Sequence, residues 1–459
     1  MRNDINMLSG RLTPAIIRFT IPVILTTLLQ NLFNTADLIV IGQYCGSLKV
    51  AAVTATGSLT SLLIALFSGL SLGAGLTVAK AIGSRQDEDI SDAVHTAIPI
   101  AVFGGLLLSV VGIIFSPSLL KLINTPPEVL ALSSVYMRIY FAGIIFTVIY
   151  NFCSAILRAT GNTKSPLYYL TIAGVLNVLL NIFFVTVCKL DVVGVALATV
   201  LSQLVAATLV VTALMRRTDS CKLSLNKIRI YKKPMVEILR IGLPAGIQSS
   251  LFSISNVITT TALNSFESAA ILSGNGSSQS IEVFTDAIGI GFTQATPNFI
   301  AQNLGAKQYK RIKDSYMLCL ACSAIFVFVT SFIMYLFGRP LLGLYITDSE
   351  EAIMYGLTRM KYLFLMSFLM ATMTVSTGAL QGLGYSIYAT VITLITGCAF
   401  RIVWIYTIFQ IPQFHTLDCM YIIYPLSWVL TTVIEGTLFL VLLKKKILAD
   451  KLIQSEATS

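Results

Sequence analysis

Residues 31–42 read NLFNTADLIVIG, and they set an aspartate, Asp37, deep in an apolar run that opens near Pro14. A charged group in such a run costs several kcal/mol unless something compensates it. In a core helix of a soluble protein, Asp37 needs a hidden partner. In a membrane span it is a candidate functional site. Composition decides between the two. Of 459 residues, 56% are hydrophobic and only 11% are charged. Soluble domains carry about 25% charged residues, and a soluble chain of this length cannot cover its surface with so few. A polytopic membrane protein can, because lipid accepts apolar side chains.

Polar or Gly/Pro-rich breaks divide the chain into twelve apolar stretches, each of about 20–30 residues and long enough to span. The helices expected are 14–41, 51–80, 93–118, 129–153, 166–187, 192–215, 237–262, 272–300, 314–338, 354–378, 387–410 and 418–443. The fold class is therefore an all-α polytopic membrane protein. The first apolar run is too long for a signal-peptide core, so it is read as a retained first span. An even number of spans puts both termini on one side, and Lys and Arg choose which. The termini share their side with Arg85, Arg158, Lys164, the stretch Arg216 to Arg240, Lys307, Lys310, Arg311, Lys313 and Lys444 to Lys446. The opposite loops hold little beyond Lys49, Lys121, Lys189 and Arg339, while Arg138, Arg359 and Lys361 stand toward the outer ends of spans. Both termini are expected in the cytoplasm. The net charge of +10 is mostly this asymmetry, so it does not point to nucleic acid.

The basic stretch RRTDSCKLSLNKIRIYKKP (216–234) reads as a linker between two six-span halves, giving 1–215, a linker over 216–236, and 237–459. The halves superpose in sequence at a near-constant offset. At 222, Pro22 falls on Pro244, Asn34 on Asn256, Gly83 on Gly305 and Arg85 on Lys307; at 223, Gly161 falls on Gly384. Six spans per copy give the copies the same orientation, a parallel repeat able to enclose a cavity. Enzyme chemistry finds no foothold. There is no G-x-x-x-x-G-K-[ST] and no H-E-x-x-H, and of the two histidines His95 is expected near a cytoplasmic end and His415 in an outer loop, which disfavours metal or histidine-based catalysis. Eight cysteines are scattered, and Cys319 and Cys322, although C-x-x-C, sit in an apolar run as small packing residues.

Several stretches now carry a resemblance: FNTADLIVIGQYCG in the first span, AILRATGNTKSP after the fourth, GVLNVLLNIFFV in the fifth, VGVALATVLSQ in the sixth and AQNLGAK after the eighth. In content and order they resemble the multidrug and toxic compound extrusion (MATE) family, in its N-lobe-coupled, DinF-like bacterial branch. The resemblance implies two pseudo-symmetric six-helix lobes in a V, and antiport of organic cations against H⁺ or Na⁺. It implies a monomer that needs no cofactor beyond the coupling ion; the cytoplasm-facing termini and the absence of organelle signals suit the lipid bilayer of a cell inner membrane. Asp37 matches the acid of the first helix through which that branch couples. A carboxylate in a partly dry cavity can exchange a proton with water as access alternates, or help coordinate Na⁺. Gln30 and Asn34 share its helical face.

The fifth span supplies Asn177 and Asn181 at i and i+4, and Asn151 and Thr199 complete an expected polar cluster with Asp37. Plain interhelical hydrogen bonding is the rival reading for these neutral residues. The family often has Asp where this chain has Asn181; the departure removes one carboxylate, and Na⁺ held by Asp37, Asn177 and Asn181 would lose a negative ligand. The seventh span, LPAGIQSSLFSISNVITTTAL, contains no acid, which argues against the branch that couples there. In the C-terminal half Glu282 and Asp286 at i and i+4 are candidates, with Arg401, for contacting a cationic substrate; pairing of these acids with Arg401 is the structural alternative. Pro22 in mid-helix is the candidate gate. A lipid-linked saccharide flippase is the nearest rival function, and a non-transporting membrane receptor or scaffold a more distant one. The glycines of SGLSLGAGL (68–76) are read as sites of close helix packing.

Overall fold

The computed structural model describes residues 4–458, and they are helical almost throughout. The first half runs α1 (Leu12–Cys45), α2 (Ser47–Ser84), α3 (Asp87–Leu122), α4 (Pro127–Ala142), α5 (Ile144–Ala159), α6 (Lys164–Ile182) and α7 (Asp191–Met215). The second runs α8 (Lys232–Ala262), α9 (Ala269–Gly305), α10 (Tyr309–Leu336), the short α11 (Gly338–Gly343), α12 (Glu350–Leu363), α13 (Ser367–Gly382), α14 (Ser386–Thr393), α15 (Phe400–Tyr406) and α16 (Leu417–Thr458). Among the described residues, nine helices are long and apolar enough to cross a bilayer, and two further spans are helix pairs bent by 46°, α4 with α5 and α12 with α13. α9 completes the twelve: it has 37 residues, but its face carries Asn275, Ser278, Glu282 and Asp286, and so reads as less apolar than its neighbours. Most helices overrun the apolar stretches that define them. α3, expected over 93–118, begins at Asp87 with three acids in its first turn, where they complement the positive end of the helix dipole.

The internal repeat is present in the backbone as well as in the sequence. Arg85 and Lys307, 222 positions apart, both adopt left-handed φ, +58° and +56°, where α2 and α9 end. Gly161 and Gly384 repeat at +87° and +86° in the turns that follow α5 and α13. Each half also contains one bent span and one span widened by a π-helical turn, Phe183–Val187 after α6 and Leu394–Ala399 after α14.

Two compact units emerge, but their boundary is not the linker. One unit comprises Met1–Asn6 and Ile21–Ser249; the other comprises Met7–Thr20 and Ser250–Ser459. The opening turns of α8 therefore belong with the first six spans, and the opening turns of α1 with the last six. The reason is packing. Within the first unit Gly69 and Gly73 of α2 meet Gly242 and Gly246 of α8, two small-x-x-x-small pairs face to face. A Cβ at Gly73 would stand 2.5 Å from the carbonyl oxygen of Ile238 and 2.8 Å from the amide of Gly242. Ion pairs Lys80–Glu237 (2.5 Å) and Lys233–Asp89 (2.8 Å) fasten the same end of α8. Within the second unit, Phe19 of α1 lies edge-on to Phe299 (5.8 Å), and Arg311 donates to the carbonyls of Met7, Ser9 and Gly10.

The linker is held to the first unit. Arg217 pairs with Asp4 (2.8 Å) and Asp219 (2.6 Å). Burial opposes its charge, but these bonds outweigh burial and hold its pKa above the ordinary arginine value. His95 is engaged structurally. Its Nε2 accepts from the amide of Ser224, and Ser91 lies against its Nδ1.

The glycine contact yields a prediction. Gly69→Val, whose new side chain meets the backbone of Gly246, lowers the thermal midpoint in detergent by the equivalent of at least about 1–3 kcal/mol of overpacking. Gly57→Ala, on the same helix with nothing within 4 Å, leaves it unchanged. Equal midpoints for the two variants would contradict the close α2–α8 contact.

Candidate functional site

Asp37 finds its partner on α6. Asn181 Nδ2 donates to Asp37 Oδ1 at 2.5 Å, and the same amide reaches Asn177 Oδ1 at 3.3 Å. Asn177 and Asn181 are 5% and 0% exposed, so the aspartate is met by amides inside the protein. The approach of α1 to α6 has a local cause. Gly174, two turns before Asn181, is covered by the ring of Phe33, one turn before Asp37. Any side chain at Gly174 would displace that ring and part the two helices. Immediately after Asn181 the helix widens into its π turn, a deviation that often marks functional sites.

An apolar cluster begins one turn beyond Asp37 on α1: Val40, Ile41, Val53, Val185, Val192, Val195 and Ala196 pack with Tyr136. Tyr136 stacks on Tyr140 at 6.2 Å. Neither tyrosine was legible as a site residue, because an aromatic near the end of a span is commonplace. One atom in the cluster is left over. Asn181 Oδ1 is buried without a hydrogen-bond partner, an arrangement that costs stability and calls for an explanation.

The remaining N-lobe candidates are less closely engaged. Asn34 and Gln30 are exposed on α1, and among the described residues no hydrogen bond ties either to Asp37. Thr199 spends its hydroxyl on the carbonyl of Val195 in its own helix (3.0 Å). Asn151 is half-buried on α5, again with no hydrogen bond to the Asp37 cluster among the described residues. α1 runs unbroken through Pro22, and Thr26 Oγ1 bonds the Pro22 carbonyl at 2.7 Å.

The C-terminal unit has a second polar cluster, and its pairing differs from expectation. Glu282 does not pair with Arg401. Arg359 of α12 reaches Glu282 Oε2 at 2.5 Å and Ser278 Oγ at 3.0 Å. The reason is which helix lies alongside: α12 packs along α9 at this level, whereas Arg401 sits on α15 against α16. Arg359 is 6% exposed; a position near a span end hid its role, since such arginines ordinarily mark topology. Arg401 is fully buried and held by neutral groups: Ser427 Oγ at 3.1 and 3.0 Å, Asn256 Oδ1 at 3.2 Å, and the rings of Tyr424 and Phe252 at 4.5 and 5.2 Å. Asp286 keeps a buried Oδ1 without a hydrogen bond. The charge of Glu282 is thus answered from within the protein.

The MatE family model matches the chain twice, over residues 22–183 and 244–407, so each half of the repeat is one copy of the family unit. The chain is 28% identical over 386 residues to the probable multidrug resistance protein YoeA of Bacillus subtilis, covering 82% of each chain. It is 25% identical over 393 residues to the multidrug export protein MepA of Staphylococcus aureus, covering 83% of this chain and 84% of that one. A solved outward-facing structure of a MATE family transporter superposes with a TM-score of 0.88 at 19% identity, over 97% of this chain and 99% of the other. The chain belongs to the MATE family. It is a multi-pass membrane transporter and not an enzyme.

The Glu282–Arg359 pair makes a prediction. Breaking one partner of a buried pair costs about 3–5 kcal/mol, while removing both with apolar replacements costs little. Glu282→Gln therefore lowers the unfolding temperature, and Glu282→Met with Arg359→Met recovers most of it. A Glu282→Gln protein of unchanged stability that fails to bind a cationic dye would instead put Glu282 on the substrate.

Proposed function

We propose that this transporter is a secondary antiporter that exports small organic cations in exchange for protons, with Asp37 as the exchanging group. The observation that carries the reading is the Asp37–Asn181 contact. With Asp37 ionised, the Asn181 amide N–H donates to it, as in this structure. With Asp37 protonated, a half-turn of the same amide offers Oδ1, the atom now without a partner, to the new O–H. One side chain thus serves both protonation states, and the orphaned oxygen has a use. YoeA and MepA bear names of multidrug resistance and export, which supports amphipathic organic cargo here. Sequence motifs for ATP are missing, so an ion gradient is the natural source of work. Pro22 is the proposed bend point of α1, and the distribution of Lys and Arg supports cytoplasmic termini, with a monomer in a cell membrane as the working unit.

Sodium is the second reading. Asp37, Asn177 and Asn181 bring oxygen atoms to one place, and the free Asn181 Oδ1 would suit a cation. Against it stands the single carboxylate: the asparagine at 181 leaves a Na⁺ site one negative ligand short.

The test is ethidium transport in proteoliposomes, driven separately by a pH gradient and by a Na⁺ gradient. The pH gradient is expected to drive wild type, and Asp37→Asn to abolish that transport. Transport driven by Na⁺ alone would transfer the site to sodium. No transport under either gradient would sink the organic-cation reading and favour a lipid-linked saccharide as cargo.

A further inference from the structure

Glu435 on α16 is an acid for which Asp37 leaves no role. It is fully buried, at 0% exposure, inside the C-terminal unit. Among the described residues no Lys, Arg or His pairs with it. Both its oxygens are met by threonine hydroxyls from two other helices. Thr377 of α13 donates to Oε2 at 2.7 Å, and Thr393, at the end of α14, donates to Oε1 at 3.0 Å. The Tyr316 phenol of α10 comes close to this stretch of α16: its oxygen would stand 2.9 Å from a Cβ on Gly436, the next residue. That phenol is tied to Ser376 Oγ of α13 at 3.0 Å. Arg401 of α15 bonds Ser427, about two turns away along α16, and Arg359 of α12 is engaged with Glu282.

Two physical facts follow. A carboxylate in dry protein without a countercharge is tolerated only if a proton or a cation neutralises it. The shell here suits a proton better than a metal: two hydroxyls and one carboxylate fall short of the oxygens that a bound cation collects. Hydroxyls also serve either state. Thr377 Oγ1 lies 3.1 Å from the carbonyl of Met373 as well as 2.7 Å from Glu435, so it can turn its hydrogen to the carbonyl and accept from a protonated Glu435. Thr390, one turn before Thr393 on α14, keeps a buried hydroxyl without a partner. A line of hydroxyls leads away from the acid along one face of α16. Thr431, one turn before Glu435, meets Thr396 Oγ1 at 2.6 Å, and Ser427, a further turn on, meets Arg401. The line ends at the buried Arg401 of α15.

We propose that Glu435 is a second proton-exchange site of this transporter, in the C-terminal unit, served by the hydroxyl file Thr377, Thr393, Thr431 and Ser427. The inference rests on the antiport reading and deepens it: a transport cycle moves a proton at Asp37 and another at Glu435. The nearest alternative is a packing role, with Glu435 merely tying α13, α14 and α16 together.

Glu435→Gln separates the two, because glutamine keeps the size and the acceptor oxygen but binds no exchangeable proton. Two measurements are made on purified protein alongside Asp37→Asn. The first is the infrared absorption of protonated carboxyl groups as pH is stepped; it needs no transport. Wild type is expected to show a band that titrates and that Glu435→Gln lacks while Asp37→Asn keeps it. The second is ethidium transport under a pH gradient, in which Glu435→Gln is expected to lose most of its transport with an unchanged thermal midpoint. A variant that transports as wild type, or a spectrum that Glu435→Gln leaves unaltered, overturns the proposal, whatever Asp37→Asn does. Transport by Glu435→Gln restored by a Na⁺ gradient would overturn it too. Wild type that titrates at Glu435 yet moves no dye under either gradient refutes the antiport reading and with it the exchange role.

Discussion

Everything distinctive in the first unit follows from keeping one carboxylate inside an apolar helix. Asp37 is tolerable there because Asn181 reaches it, and Asn181 reaches it because Phe33 can lie over Gly174. The glycine supplies the distance, the asparagine supplies the hydrogen bond, and the π turn after Asn181 shifts the register of the helix that carries both. Valines and tyrosines pack together just beyond Asp37.

The two halves share backbone devices but not chemistry. The left-handed residues Arg85 and Lys307, the glycine turns at 161 and 384, the bent spans and the π turns all recur. The acids do not. Asp37 has no counterpart at the matching position of α8, which carries no acid over residues 243–263. The second unit instead holds an internally balanced pair, Glu282 with Arg359, and an isolated acid, Glu435, on its last helix. A duplicated scaffold has been given two different polar interiors. The shared devices shape helices and turns, whereas the acids stand where each half needs its charge.

Much of this was legible in the sequence. Length and hydropathy are enough to find twelve spans, because a bilayer sets the length of whatever crosses it. The repeat was legible because glycine and proline punctuate backbone geometry. Asp37 stood out as a charge out of place, and the i, i+4 spacing of Asn177 and Asn181 put both amides on one face. What stayed hidden depended on neighbours in space. The breaks at Gly143 and after Leu363 carry no distinctive signal. Arg359 was indistinguishable from a topology marker until α12 was seen beside α9. The partners of Glu435 are threonines, among the commonest polar residues of a span, and nothing in their spacing names the acid they serve. The glycine contact that holds the start of α8 to the first unit joins residues far apart in the chain, and no local signal marks it.

The central claim is that binding of a cation and release of a proton at Asp37 are one event. The most direct measurement is the number of protons released when a cationic dye binds the purified transporter in weakly buffered detergent solution, for wild type and for Asp37→Asn. Wild type is expected to release protons, and the variant about one proton fewer. Binding that leaves the solution pH unchanged in wild type, or an equal release from both proteins, would contradict it.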